Sequence, residues 1–142
     1  MTSPNFKICH IIAGAPTGGA ETFCLDAVKA LYERGVVQVM ISRPHDEYVK
    51  AMVQRGIQHY PVSFNRFTKW FQQTKISRII AEHNPDIVHC WMNRASSFAF
   101  KGIKQPVLGW FGGYYNLKNF QHCDFYMGVT RDIVRHIGEA SG

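Results

Sequence analysis

No apolar run in these 142 residues is long enough to cross a bilayer, so no membrane span is predicted. The opening, Met1-Thr-Ser-Pro-Asn-Phe-Lys7, has neither the hydrophobic stretch nor the small-residue cleavage site of a signal peptide, and the chain reads as cytoplasmic. Its four cysteines form no C-x-x-C pair, and its seven histidines add no zinc-like spacing. Cys9 and Cys90 fall in apolar, strand-like runs and Cys24 on a helical stripe, so the expectation is buried, reduced thiols and no metal. There is no repeat or low-complexity tract, and the length allows one buried core but not two ordinary domains.

Acid is missing from two long stretches. Between Glu47 and Glu82 there are only cations: Lys50, Arg55, Arg66, Lys69, Lys75 and Arg78. Between Asp86 and Asp124 lie Arg94, Lys101, Lys104 and Lys118. With a formal net charge of +6, such fields suit anionic partners such as phosphorylated sugars or a lipid surface, or form a solvated basic face. No nucleic-acid recognition motif accompanies the charge, and no nucleic-acid partner is expected.

What is present is an alternation of short β-rich runs with helical segments. Strands are predicted over 6–13, 36–41, 57–62, 86–91, 106–110 and 125–129. Helices are predicted over 20–34, 48–55 and 67–83, with a small one after Asn93 and a last one capped by Thr130. Pro61 places the third strand at an edge. The expected fold is α/β, a Rossmann-like open parallel sheet of about six strands with helices on both faces. Ligands of such sheets bind at the strands' carboxyl ends, which directs attention to residues 14–21, 43–45, 91–94, 111–118 and 130–131.

The first of these segments, Gly14-Ala-Pro-Thr-Gly-Gly19, is a glycine turn between a buried strand and a helix, a ready anion site. It does not have the G-x-G-x-x-G spacing of a dinucleotide fingerprint, and Ser42-Arg43-Pro44 stands where that motif wants an acid. A P-loop is also excluded, because Ala20-Glu21 replaces the Lys and Ser/Thr that follow its last glycine.

Gly18-Gly19-Ala20-Glu21 resembles the opening turn of glycosyltransferase family 4 enzymes, which have the GT-B fold. Lys7-Ile-Cys-His-Ile-Ile12, Ala30-Leu-Tyr-Glu-Arg-Gly35 and Asn84-Pro-Asp-Ile-Val-His89 are similar to the same family. Gly112-Gly-Tyr-Tyr-Asn-Leu-Lys-Asn-Phe120 and Cys123-Asp124 resemble a subgroup tied to cell-surface polysaccharide or lipopolysaccharide assembly. The resemblance implies that residues 1–142 form the N-terminal, acceptor-side half of a retaining, nucleotide-sugar-dependent transferase. It further implies that Gly18 and Gly19, with Thr17 beside them, reach the donor's phosphates. The C-terminal donor half with its paired glutamates is absent from these residues, so the chain alone is expected to be inactive. Many relatives carry a His-Asp or His-Glu pair after the fifth strand, where this sequence has Phe111-Gly112-Gly113, and no catalytic residue is assigned.

Other candidates carry two readings each. His89, toward the end of the fourth strand, is read as facing the cleft, either as a weak catalytic candidate or as a hydrogen-bonded structural histidine. Asn93 either binds acceptor or caps the next helix, and Arg94 either pairs with an acceptor anion or lies in solvent. The Gly112, Gly113, Tyr114, Tyr115 and Lys118 loop offers close backbone approach, flat rings and a cation to an acceptor sugar, or else packs on the domain. Phe67, Trp70 and Phe71, mixed with Lys69, Lys75 and Arg78, fit an anionic membrane surface. Their continuation into Ile76, Ile79 and Ile80 favours a core-facing stripe instead. Donor and acceptor are thus a nucleotide-sugar and a sugar or lipid-linked acceptor, with no cofactor or metal. The alternative is a stand-alone anion- or nucleotide-binding module without catalytic activity.

Overall fold

Lys7–Ile12 forms β1, whose apolar run is explained by its place at the centre of the sheet, with parallel strands on both sides. In this computed structural model, which describes residues 6–142, β2 (Val37–Ser42) pairs with one edge of β1 and β4 (Ile87–Trp91) with the other. The Met1–Asn5 opening, on which the signal-peptide reading rests, lies outside the described residues. β3 (Gln58–Pro61) lies beyond β2, while β5 (Val107–Phe111) and β6 (Phe125–Gly128) follow β4. The order β3-β2-β1-β4-β5-β6 is parallel throughout, the α/β Rossmann-like sheet expected. Pro61, which cannot donate to a ladder, ends the edge strand.

Strand alternation sorts side chains onto two faces. Cys9, Ile11, Cys90 and Phe111 pack on one face against α3 (Lys69–His83), α4 (Met92–Ser97) and α5 (Arg131–Ala140). Ile12, Met40, Trp91 and Trp110 pack on the other against α1 (Gly19–Glu33) and α2 (Asp46–Val53). All four cysteines are buried and free. Among the described residues, no helix is long and apolar enough to cross a membrane. The left-handed Gly35 (φ 78°) follows the end of α1, and the Thr130 side chain accepts the Ile133 N–H at 3.1 Å to start α5.

Two expectations are corrected. The stripe from Phe67 through Trp70 and Phe71 to Ile80 is not a single core-facing one. Phe67 is 88% exposed, Trp70 70% and Phe71 69%, whereas Ile76, Ile79 and Ile80 are buried. A 3-10 turn over Arg66–Thr68 precedes α3, so the inward face begins at Gln72, and Trp70 shares the outward row with Thr74, Ser77 and Ala81. Nor does Asn93 cap α4: the helix starts at Met92, which has a left-handed φ of 69°, and Asn93 lies within its first turn.

Candidate functional site

The chain leaves β1 toward one face of the sheet through α1, and leaves β4 toward the other through α4. This makes the carboxyl ends of β1 and β4 the topological switch point, where such sheets hold ligands. The glycine turn occupies the β1 side and is braced from four directions. Arg43 Nη1 donates to Ala13 O at 2.8 Å, and His45 Nε2 lies 3.1 Å from Gly14 O. The Ala15 N–H donates to Glu21 Oε2 at 2.9 Å, and both the backbone N–H and hydroxyl of Thr22 donate to Gly18 O. Thr17, Gly18 and Gly19 are exposed, and no side chain caps α1. The Thr22 N–H is the first satisfied within the helix, so those of Gly19, Ala20 and Glu21 precede any intrahelical acceptor and form the positive end of the dipole.

The two glycines differ in what holds them. Gly18 has φ 155° and ψ 168°, and a Cβ there would collide with the Glu21 carboxylate. At Gly19 a Cβ would meet nothing within 4 Å. The positive φ therefore favours a glycine at 18, where the half-buried Glu21 carboxylate would also have to move aside for a side chain, whereas nothing at 19 requires one.

Across the switch point, Asn93 and Arg94 sit in the first turn of α4, and Lys118 in a 3-10 turn over Leu117–Phe120. Asn119 Nδ2 donates to Asn93 Oδ1 at 2.8 Å, tying the two segments together, while Arg94 Nη1 reaches Phe64 O at 3.3 Å. Asn93 and Arg94 line a polar cavity of about 360 Å³ together with Arg66, Lys69 and Asn119. Lys118 lines a smaller one of about 140 Å³, which shares Lys69, Ser97 and Asn119 with the first. Arg66, Lys69 and Asn119 were not singled out as cavity residues from the sequence. The acid-free stretch carrying the two cations was the available signal, and Asn119 lies within the Gly112–Phe120 stretch that carries the family resemblance.

The rest of the 112–115 loop is placed elsewhere. Tyr114 OH donates to the Asp132 carboxylate and its ring meets His136 edge-on, so it leans on α5. Tyr115 lies against Phe111 and Phe120, with ring centroids 5.8 and 6.0 Å away. Gly112 is required because a Cβ would come within 2.5 Å of the Trp110 ring, whereas Gly113 has no contact that tight.

His89 does not face the cleft, because its parity along β4 puts it on the α1 side of the sheet with Trp91. Its ring stacks on Trp91 at 4.2 Å, 5.8 Å from that of His10. The Trp91 indole N–H donates to His10 Nδ1 at 3.1 Å, which leaves Nε2 to carry the proton toward Gln38 Oε1 at 2.8 Å; Gln38 in turn donates to Val28 O at 3.0 Å. Burial holds His10 down at about 4, against the opposing pull of the Gln38 hydrogen bond. Burial, reinforced by His10, holds His89 at about 3, and its Nε2 is buried without a partner. This is a neutral, packed pair. Among the described residues, no three His, Cys, Asp or Glu side chains gather as metal ligands.

Known proteins share this fold. The chain is 31% identical over 136 residues to the lipopolysaccharide core biosynthesis glycosyltransferase LpsD of Rhizobium meliloti (strain 1021), covering 94% of this chain but 39% of LpsD. Its fold is similar to that of a glycosyltransferase from Rickettsia africae ESF-5, with TM-score 0.75 and 24% identity over 95% of this chain and 39% of the other. Anabaena Alr3699/HepE, crystallised with UDP-glucose, matches with TM-score 0.73 and 13% identity over 97% of this chain and 41% of that one. The chain thus spans about two fifths of the length of these relatives. The family model described as Glycosyltransferase Family 4 matches residues 17–137, from the glycine turn to the last helix, and the chain belongs to that family.

Proposed function

We propose that this chain is the N-terminal, acceptor-side half of a retaining, nucleotide-sugar-dependent glycosyltransferase that builds cell-surface glycan or lipopolysaccharide in the cytoplasm, at the inner face of the membrane. LpsD is named for lipopolysaccharide core biosynthesis, and HepE was crystallised with UDP-glucose, which supports a diphosphate-linked donor. The observation that carries the reading is the braced turn, with exposed Gly18 and Gly19 and with helix-start amides from Gly19 onward that have no intrahelical acceptor, at the switch point.

Those amides act on the leaving group. As the bond from sugar to diphosphate breaks, negative charge builds on the phosphate oxygens, and N–H donors already fixed in place stabilise it most at that stage. Arg43, His45 and Glu21 contribute by immobilising the turn, so little reorganisation accompanies the step.

The acceptor, a sugar or a lipid-linked glycan, is met at a membrane surface. Phe67, Trp70 and Phe71 are exposed at the start of α3 beside Arg66 and Lys69, an interfacial arrangement of apolar rings and cations that fits an anionic bilayer surface.

Gly19→Val tests the turn without disturbing the fold, because the space beside Gly19 is open. Titrating inorganic pyrophosphate while following backbone amide NMR shifts should perturb Gly18, Gly19 and Ala20. In Gly19→Val their affinity should fall about tenfold, because the isopropyl group stands in the open space through which an anion reaches these amides and blocks one charge-assisted hydrogen bond. Unchanged affinity at these amides would remove the donor-phosphate role.

A further inference from the structure

The cavity between α4 and the start of α3 has an unusual charge balance. Arg66, Lys69 and Arg94 line it, and Lys118 lines the smaller cavity that continues from it. No Asp or Glu lines either one, and among the described residues none of these four cations makes an ion pair. Like charges lining one recess with no acid among them raise the local positive potential, which an entering anion would neutralise.

The neutral lining is polar too. Asn119 gives one amide N–H to Asn93 and keeps the other for a ligand, while the Ser97 hydroxyl donates to Arg94 O at 2.6 Å. Lys69 Nζ lies 5.4 Å from the centroid of the Phe98 ring, which restrains the ammonium at the cavity wall. Arg94 gives one nitrogen to Phe64 O, leaving the remaining guanidinium donors for a ligand. The segments that supply these groups follow β3, β4 and β5, so the cavity opens on the same carboxyl edge as the glycine turn. Phe67 and Trp70, the exposed rings, alternate with two of its cations along the chain.

We infer that this cavity binds a phosphate or pyrophosphate group carried by the acceptor, which makes the acceptor a phosphorylated glycan or lipid-linked phosphate. A neutral sugar would leave the cavity's three cations and the neighbouring Lys118 unanswered, and a single carboxylate would answer fewer of them than a phosphate with its three oxygens and near-double charge. The inference rests on the acceptor-side reading given above, but its residues are separate from the glycine turn and can fail independently.

Inorganic pyrophosphate is titrated into the protein and the amides of residues 93–97 and 117–121 are followed by NMR, at low and at physiological salt. Binding there should be saturable, weaken with salt, and fall at least about tenfold in the Arg94→Gln/Lys118→Gln double variant. Arg94→Lys/Lys118→Arg, which keeps both charges, should retain most of it and controls for damage to the fold. Gly19→Val should leave this site unchanged while weakening shifts at residues 18–20. If Gly19→Val alone removes binding, the donor reading stands and the acceptor-phosphate site falls. Flotation with phosphatidylcholine vesicles containing phosphatidylglycerol separates the two sources of negative charge. If the cavity takes a phosphate group, Arg94→Gln/Lys118→Gln should lose pyrophosphate affinity while its flotation falls no further than the removal of two surface charges explains. A variant that loses flotation yet keeps pyrophosphate affinity would overturn the inference in favour of a surface that reads membrane charge.

Discussion

Gly18 and Gly19 are neighbours in sequence but not in constraint. The backbone at 18 lies where side chains are rarely tolerated, and the Glu21 carboxylate fills the space a Cβ would take. Gly18→Ala should therefore cost about 1–3 kcal/mol of stability. Gly19→Ala should fall within about 0.5 kcal/mol of the parent, as substitutions at unstrained exposed positions do. Urea denaturation midpoints of the two variants check this, and equal losses would show that the turn is not held as described. The motif could be recognised in the sequence because its requirement is local: a strand, a tight bend and a helix start within a few residues. His89 was misread for the opposite reason. Which face of β4 it takes depends on pairing with β1, some eighty positions away, where His10 is its cross-strand partner.

At the scale of elements, strands were easier to read than helix faces. The central strands announce themselves as continuous apolar runs because helices cover both their sides, and Pro61 marks an edge because it cannot donate. The helix α3 carries two rows of different destination. Sequence spacing joined Phe67, Trp70 and Phe71 to Ile76, Ile79 and Ile80, but the preceding 3-10 turn shifts the phase and sends the aromatics outward. The cavity cations were hidden similarly, since only packing brings Arg66 beside Arg94 and Asn119. The two rows of α3 predict opposite mutational outcomes. Ile76→Ala, in the core, should cost about 2–5 kcal/mol. Trp70→Ser/Phe71→Ser should change stability by no more than about 1 kcal/mol, two exposed substitutions taken together. The double variant should nevertheless lose most flotation with anionic vesicles. Flotation equal to the parent's would end the membrane role of this face, and a large loss of stability would return the two rings to the core.

For the molecule as a whole, the seam between β1 and β4 joins the two helical layers, and it is built around neutral histidines. His10 is fully buried in a chain of hydrogen bonds from Trp91 to Gln38 and on to Val28, with His89 stacked against the same indole. An unfolded histidine takes up its proton near pH 6.5, while burial holds His10 at about 4 and His89 at about 3. Between these limits the unfolded chain binds more protons than the folded one, so stability falls as the pH is lowered. The contribution is intact above about pH 6.5, declines through pH 5, and levels off only below about pH 4, where the folded histidines begin to protonate as well. His10 alone should account for a loss on the order of 3 kcal/mol by pH 4, a large share of a typical domain's stability. In denaturant titrations from pH 7 to pH 4 these two histidines should contribute a limiting slope of about 2.7 kcal/mol per pH unit, two protons' worth, to which His59, also held down by burial and by Lys75, adds. His89→Phe keeps the stack on Trp91, removes the unpartnered Nε2, and should halve that slope without lowering stability at pH 7. A slope that His89→Phe leaves unchanged would mean that acid acts elsewhere, and that this seam is not where the fold first gives way.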